Sequence, residues 1–186
     1  LKMKKISLVS LFIVLIFYGC NREKNEEISE KEKFTKFSFK QFSKNYSFTL
    51  EGETAETDKE SNTQIISPSL SLKTKTEIIE IKTDKKGKGE IKFEPETKKI
   101  KEIIISGNIL ILYKELSTQN LLMEITCGKL TYIDEKKEMI FEEKPVIKRD
   151  KNKFSGELII YYIESNKVEI KGNVNAEIYQ EQRTGK

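Results

Sequence analysis

The side chains that most often carry out chemistry are scarce in this sequence. It contains no histidine, and it lacks the GxSxG, GxxxxGK(S/T) and HExxH motifs of serine hydrolases, phosphate-binding loops and zinc proteases. Adjacent glutamates such as Glu142 and Glu143 lie beside lysines in a turn-like segment, where solvated charge is expected. Because a hydrolytic nucleophile needs a base and a metal ion needs clustered ligands, we predict no enzyme activity, no metal site and no cofactor. The only aspartates are Asp58, Asp84, Asp134 and Asp150, each in a separate turn-like segment.

Cys20 is the residue whose setting predicts a covalent modification. Lysines near the start of the chain precede an apolar run from Ile6 to Tyr18 that ends at Gly19 and Cys20, which is the layout of a lipoprotein signal. A diacylglycerol group on the Cys20 sulfur would anchor the mature chain. The run is shorter than the roughly 20 apolar residues that cross a bilayer, but an uncleaved signal anchor is the alternative. Either outcome tethers the protein to a membrane.

Cys127 is the second of the 2 cysteines in the sequence. If the Cys20 sulfur carries lipid, no intramolecular disulfide is available, and stability has to come from strand pairing and burial. Cys127 lies in a strand-like segment, where a single cysteine is most often a small buried apolar residue. We therefore predict a structural role for Cys127 and not a reactive one.

Composition divides the chain into four segments. Residues 1–19 are predicted to be a signal peptide, and residues 20–36 the lipidated cysteine and a flexible tether rich in Glu, Lys, Asn and Ser. Residues 37–180 are predicted to form one β-domain, since about 100 to 200 residues is the usual size of a domain. Residues 181–186 are predicted to be a disordered tail.

Strand-like runs follow one another along the predicted domain. The clearest extends from Lys167 to Ile178, where apolar or small residues alternate with charged or amide residues, a period that a helix cannot produce. Similar runs rich in Ile, Val, Tyr and Phe are separated by turn-forming segments about every 8 to 14 residues. We therefore predict an all-β, antiparallel fold.

The charges of the chain are dense but balanced. Lys and Arg total 34 and Asp and Glu total 30, and the two signs alternate along the sequence instead of forming a basic block. Binding to the phosphate backbone of nucleic acid depends on a concentration of positive charge. We therefore predict no nucleic-acid partner.

A weak internal repeat accompanies the strand pattern. Segments beginning near Gly89, Gly128 and Gly156 each contain a glycine, a strand with an aromatic residue, a short polar turn and a second strand. Repetition of one supersecondary unit predicts either a stack of units or a single folded-over sheet.

The C-terminal half resembles the OstA-like family of LptA and LptC, the periplasmic bridge proteins of lipopolysaccharide export. The resemblance rests on Lys144–Ile147, Gly156–Tyr162, the turn at Ser165–Lys167 and the strand Val168–Val174, whose order and spacing match the family pattern. The segment Tyr46–Leu72 resembles the opening of LptC, so that the resemblance covers residues 46–178.

The resemblance implies a single antiparallel folded-over sheet, or open β-jelly roll, whose apolar groove accepts acyl chains. It implies lipopolysaccharide or another envelope lipid as the cargo, an inner-membrane ABC transporter complex as a partner, and a like-folded bridge protein that joins by edge-strand addition. The candidate edges are Phe37–Leu50 and Val174–Tyr179. The candidate lipid-groove residues are Leu121, Met123, Ile125, Leu158, Ile160, Tyr162, Val168, Ile170, Val174 and Ile178.

The predicted function is therefore transfer of an envelope lipid by a periplasmic bridge component that is lipid-anchored to a membrane, with the inner membrane favoured. Alternation alone leaves a second arrangement open, in which the same residues fill an ordinary β-sandwich core. A surface lipoprotein that binds a host or envelope macromolecule would have such a core, as would a structural envelope lipoprotein without a ligand.

Overall fold

The protein is built from strands. The computed structural model describes residues 32–58, 62–97 and 99–179, which contain fourteen strands in one antiparallel sheet. The predicted all-β, antiparallel fold is confirmed. The strands are β1 (Glu32–Phe42), β2 (Ser47–Thr57), β3 (Thr63–Ile66), β4 (Ser69–Lys73), β5 (Glu77–Thr83), β6 (Lys88–Phe93), β7 (Ile100–Glu115), β8 (Leu121–Ile133), β9 (Glu138–Glu142), β10 (Val146–Arg149), β11 (Asn152–Ser155), β12 (Leu158–Tyr162), β13 (Lys167–Lys171) and β14 (Asn175–Glu177).

Several predicted segments lie outside the described residues: the signal peptide, Cys20, most of the tether and the tail. Within the described ranges, no helix is long and apolar enough to cross a membrane. Strand β1 begins at Glu32, so residues 32–36, which the sequence analysis assigned to the tether, belong to this strand, and residues 32–35 pair with β2. Phe34 lies opposite the buried Ala55, and its charged neighbours conceal this strand in the sequence.

The pairing arranges the fourteen strands into nine successive layers, which we call rungs. Each rung pairs with the next in two stretches, one on either side of a short break, so that the chain runs back and forth through the sheet. Four rungs are single strands and five are made of two short strands in succession. In chain order, the rungs are β1, β2, β3 with β4, β5 with β6, β7, β8, β9 with β10, β11 with β12, and β13 with β14.

The breaks within the rungs align across the sheet along a line that we call the crease. The crease divides every rung into one part in half-sheet A and one part in half-sheet B. Folding along it brings the inner faces of the two half-sheets together around one core. Half-sheet A contains β4, β5, β10, β11 and β14, together with residues 37–42, 47–51, 109–115 and 121–127 of the long strands. Half-sheet B contains β3, β6, β9, β12 and β13, together with residues 32–35, 54–57, 100–106 and 129–133 of the long strands.

The backbone at the crease departs from strand geometry but keeps the rungs connected. The Ser67 amide donates to the Gly87 carbonyl at 2.9 Å, and the Gly128 amide donates to the Glu143 carbonyl at 3.1 Å. At Gly107, with φ of 129°, a Cβ atom would lie only 3.0 Å from Gly87 Cα, so glycine is required there. Residues with positive φ at the crease are Lys36, Ser67, Gly107, Glu143, Lys144, Gly172 and Asn173.

Both inner faces are filled with large apolar side chains. Phe48 and Leu50 of half-sheet A and Phe141 of half-sheet B are at most 2% exposed. Burial of each such side chain stabilises the fold by about 1.5 to 3 kcal/mol. The filling decreases at the end rungs, where Phe39 of rung 1 and Ile170 of rung 9 are only partly buried against the core. The middle of the roll is therefore closed, and its apolar interior approaches solvent at both ends.

Gly156 lies where rung 8 crosses the crease, and a side chain there would collide with rung 9. A Cβ atom on Gly156 would lie 2.7 Å from Ile170 Cγ2 and 2.8 Å from the Lys171 carbonyl oxygen. Because the backbone of rung 9 would have to move, Gly156→Ala is expected to lower the free energy of unfolding by about 1 to 3 kcal/mol in a urea titration. The control Ser106→Ala, at an exposed position of β7, should change it by less than about 0.5 kcal/mol. Equal stability of the two variants would contradict close packing at the crease.

Candidate functional site

On the side opposite the crease, the half-sheets meet along a line of aromatic side chains that we call the seam. It consists of three ring pairs, each with one ring from half-sheet A and one from half-sheet B. The pairs are Phe39–Phe93, Phe48–Tyr132 and Tyr113–Tyr161, with ring centroids 5.9, 5.5 and 5.8 Å apart. The first and third are edge-to-face and the second is stacked, and both arrangements stabilise aromatic pairs. The seam thus closes the side of the roll where the strands of both half-sheets end.

The seam explains the internal repeat. In the units that begin at Gly128 and Gly156, the glycine lies at the crease. The aromatic residues of the three units, Phe93, Tyr132 and Tyr161, supply the half-sheet B ring of every seam pair. Each unit therefore contains one passage of the chain from the crease to the seam.

A first group of hydrogen-bonded side chains, the first latch, crosses the seam and consists of Tyr46, Tyr132, Asp134 and Lys137. Tyr46 immediately precedes β2 in half-sheet A, and its hydroxyl oxygen lies 3.2 Å from that of Tyr132 in half-sheet B. Both hydroxyls donate to the Oδ1 atom of Asp134. The ammonium group of Lys137 lies 2.8 Å from Asp134 Oδ2 and 5.6 Å from the centroid of the Tyr46 ring. Charge and hydrogen bonding therefore hold the two half-sheets together here.

A second latch, consisting of Glu77, Tyr113, Tyr161 and Asn166, repeats this arrangement farther along the seam. The Tyr113 and Tyr161 hydroxyl oxygens are 3.3 Å apart, and both hydroxyls donate to Asn166 Oδ1, at 2.7 and 3.2 Å. The Asn166 amide then donates to Glu77 Oε1 at 3.0 Å, across the seam. In both latches, one side-chain oxygen in a turn of half-sheet B thus accepts two hydrogen bonds, one from a tyrosine hydroxyl of each half-sheet.

Burial and hydrogen bonding together determine the protonation of the latch groups. Burial raises the pKa of Tyr113 and of Tyr132, and their hydrogen bonds raise it further, so both phenols are neutral donors. At Asp134, burial alone would raise the pKa, but the hydrogen bonds from Lys137 and Tyr132 outweigh it and hold the pKa below its usual value. The first latch therefore depends on an ionised carboxylate, whereas the second uses the neutral amide of Asn166.

A cleft of about 220 Å³ lies on the seam between the two latches. It is lined from half-sheet A by Asn45, Tyr46 and residues 74–77, and from half-sheet B by Ile163, Glu164 and Asn166. Ile163 also belongs to the buried core, so the cleft reaches the apolar interior. The side chains of the two latches thus hold together a seam that is not filled along its whole length.

The structure distributes the ten candidate groove residues unevenly. In β8, Ile125 is buried in the core and Met123 packs partly against it, but Leu121 is 54% exposed. In rung 9, Val168 and Ile170 pack partly against the core. Val174 and Ile178 continue the alternation of Ala176, which lies opposite the inward-facing Phe154, and they are 58% and 67% exposed at the end of the roll.

Strand β12 presents a different face from the one expected. Ile159 and Tyr161 belong to the core cluster, whereas Leu158, Ile160 and Tyr162 alternate with them on the opposite face of the strand, where Ile160 is itself buried. The Tyr162 hydroxyl donates to Glu169 Oε2 there, at 2.8 Å. The run of five apolar residues in β12 has no polar neighbour to mark its outer face, so its phase could not be determined from the sequence. Lipid contact by any of the ten residues stays a prediction.

Among the described residues, Cys127 is the one cysteine, and it is free and buried. Burial raises the pKa of the Cys127 thiol to about 12, so the thiolate that nucleophilic chemistry requires is disfavoured. Across the residues that the structure describes, no three His, Cys, Asp or Glu side chains are grouped to hold a metal ion.

A search of the solved structures finds the crystal structure of LptH, the LptA-homologous periplasmic component of the conserved lipopolysaccharide transport device from Pseudomonas aeruginosa. It matches with a TM-score of 0.53 and 11% sequence identity, over 72% of this chain and 95% of that chain. The fold is LptA-like. This part of the predicted family resemblance is confirmed, and at this identity the likeness extends to the fold alone. No protein-family model matches the chain, and no curated protein does.

The latches were not predicted from the sequence. Tyr46 and Tyr132 are 86 positions apart, and Tyr113 and Tyr161 are 48 positions apart, so no local pattern links them. The one available signal was the aromatic residue of the repeat, which recurs between the crease glycine and the polar turn.

The ion pair of the first latch predicts an acid-sensitive contribution to stability. Asp134→Asn keeps the side-chain shape but removes the carboxylate, and it is expected to lower the free energy of unfolding at pH 7 by about 1 to 2 kcal/mol. Because the pKa of folded Asp134 is lowered, this contribution is present above the unfolded-state pKa of about 3.9 and is lost as the pH falls through the folded value. Urea titrations at neutral pH and below about pH 3 should show the difference from wild type shrinking.

Tyr113→Phe in the second latch is the matched control, because it removes a hydrogen bond between two neutral groups, the Tyr113 hydroxyl and the Asn166 amide oxygen. Its effect on the free energy of unfolding should change less with pH than that of Asp134→Asn. An effect of Asp134→Asn that is the same at both pH values would contradict the ionised first latch.

Proposed function

We propose that this protein is a membrane-anchored periplasmic component that carries an envelope lipid of the lipopolysaccharide class. Its acyl chains would lie against the inner face of the roll, and the polar part of the lipid would stay in water. Cys20 would supply the anchor, with the inner membrane favoured. An inner-membrane ABC transporter complex would supply the lipid, and a like-folded protein would receive it. The observation that carries this proposal is an LptA-like fold whose apolar inner face reaches the surface at its ends.

The end at rung 9 exposes large apolar side chains. Val174, Ile178 and Tyr179 are 58%, 67% and 72% exposed, and the partly buried Val168 and Ile170 continue the same surface inward. Each methylene group of an acyl chain that leaves water for such a surface gains about 0.8 kcal/mol. Rung 9 thus offers a place where an acyl chain can be buried without any change in the closed middle of the roll.

The end at rung 1 is apolar too, but it is aromatic. Phe34 is 43% exposed, and Phe37 and Phe39 are partly buried on the same inner face. If rung 9 of one protein meets rung 1 of the next, an acyl chain passing between them exchanges one apolar contact for another. Such a step has little net free-energy cost, because the chain is not returned to water.

A crosslinking experiment in cells tests lipid contact. A photo-activated amino acid at Ile170, on the inner face of β13, is expected to capture a lipid that mass spectrometry identifies as acylated. The same group at Glu169 or Lys171, which point to the outer face of the same strand, is the matched control and should capture far less. Equal capture from both faces, or none from Ile170, would contradict the proposed lipid path.

The rung count determines how two such rolls would join. Rung 1 and rung 9 both run from half-sheet B to half-sheet A, because each of the eight steps between them reverses the chain direction. Both rungs have one unpaired edge in the described residues. A junction that keeps A beside A and B beside B therefore places rung 9 parallel to rung 1 of a like-folded neighbour. Every other strand pair in the sheet is antiparallel.

A second crosslinking experiment tests this junction. A photo-activated amino acid at Lys40, an exposed residue of β1, is expected to capture the last rung of a like-folded protein, with crosslinked peptides in parallel register. Lys82, an exposed residue of β5 whose strand is paired on both sides, is the control. Capture from both positions alike, or an antiparallel register, would contradict the proposed junction.

The filled middle of the roll favours a second candidate. A core in which Leu72, Ile81 and Ile103 are fully buried is also what a surface lipoprotein would need to bind a host or envelope macromolecule through its outer face. Protease treatment of intact cells separates the two. Digestion from outside would favour surface display, whereas protection that is lost when the outer membrane is permeabilised would favour the periplasmic lipid carrier.

A further inference from the structure

The two long sides of the roll are joined by different kinds of interaction. At the crease, backbone hydrogen bonds continue from rung to rung, for example from the Glu157 amide to the Lys171 and Gly172 carbonyls at 3.0 Å. Across the seam, the described residues make contact through side chains alone, with three hydrogen bonds and two close hydroxyl pairs in the two latches. The seam can therefore part without breaking the sheet, whereas the crease cannot.

The seam is not equally strong along its length. Two of its three ring pairs include a latch tyrosine, but the Phe39–Phe93 pair carries no hydroxyl group, and both rings are only partly buried. Phe39 also lies in rung 1, which pairs on one side only within the described residues. The Phe39–Phe93 end is thus the weakest part of the seam.

A buried polar atom lies near this same end. Gln41 follows Phe39 on the inner face of β1, and its Oε1 atom is buried without a hydrogen-bond partner among the described residues. Leaving a buried carbonyl oxygen unpaired destabilises the closed arrangement, and contact with water would relieve this. The closed seam is therefore destabilised locally where its side-chain bonding is weakest.

We propose that the seam is a lateral opening of the roll, that the two latches hold it shut, and that it parts first at the Phe39–Phe93 pair to admit an acyl chain. The crease acts as the hinge. This inference rests on the proposed lipid-carrying function and adds the route by which a chain reaches the filled interior. The polar part of the lipid would remain outside, along the seam.

The test measures uptake of a fluorescent fatty acid, cis-parinaric acid, by the full chain in a Cys20→Ser, Cys127→Ala background. Phe39→Cys with Phe93→Cys, joined by a short bismaleimide, closes the seam covalently. Lys88→Cys with Ser106→Cys, which are neighbours within half-sheet B, is the matched control. Each protein is compared with and without the crosslinker. Crosslinking the seam is expected to slow uptake at least tenfold, and crosslinking the control pair should leave the rate unchanged.

A second variant tests the latches without altering the aromatic packing. Tyr113→Phe with Tyr46→Phe removes the half-sheet A hydroxyl of each latch, and it is expected to raise the uptake rate roughly fivefold or more, because the closed state loses cross-seam hydrogen bonds that the open state does not make. Amide hydrogen exchange should also accelerate in residues 46–50 and 109–113, a readout that needs no lipid.

The outcomes separate the seam from the lipid function. Unchanged uptake by the crosslinked seam would overturn the lateral opening and leave a lipid carrier that is loaded through its ends. Absence of uptake by the wild-type chain, together with no lipid capture at Ile170, would overturn the proposed function and the opening with it. Unchanged amide exchange in the Tyr113→Phe, Tyr46→Phe variant would overturn the role of the latches.

Discussion

A sheet that is apolar on one face has to cover that face, and this sheet covers it with its own other half. The whole fold depends on this constraint. Every rung must bend at the same line, so positive φ values occur in five different rungs along the crease. The two inner faces then need complementary large side chains, such as Phe48 against Tyr132. Burial of these faces provides the main stabilisation, and the latches act on the side where the backbone gives no connection.

The sequence predicts the fold class because its alternation is strong wherever apolar and charged residues take turns, as from Lys167 to Ile178. The alternation fails as a guide at two kinds of place. It changes phase at the crease, as between Cys127 and Leu130. These residues are three positions apart and would face opposite sides of a regular strand, but both are buried. In β12 every residue is apolar, so the sequence does not show which residues face inward. A face assignment there requires the tertiary structure, because only packing distinguishes Ile159 from Ile160.

The candidate site illustrates the same limit at longer range. The repeat could be recognised because its spacing is local, but its purpose could not, since each aromatic residue contacts a ring from a distant rung. Tyr132 contacts Phe48 from four rungs away, and Tyr161 contacts Tyr113 from three rungs away. These offsets follow from the packing of two twisted half-sheets across each other, which no pattern within one strand encodes.

An acyl chain can enter the filled middle of the roll only if the closed state is one of two arrangements. Acyl chains and the side chains of Ile, Leu and Phe are similar in polarity, so replacing contacts between half-sheets by contacts with a lipid changes the apolar burial little. The free-energy difference between the two arrangements then falls to the polar groups along the seam. An ionised carboxylate shared by two phenols is a strong constraint on the closed state at neutral pH, whereas an unpaired Gln41 oxygen acts against it. The balance between these polar groups, and not the size of the core, sets how readily the roll opens.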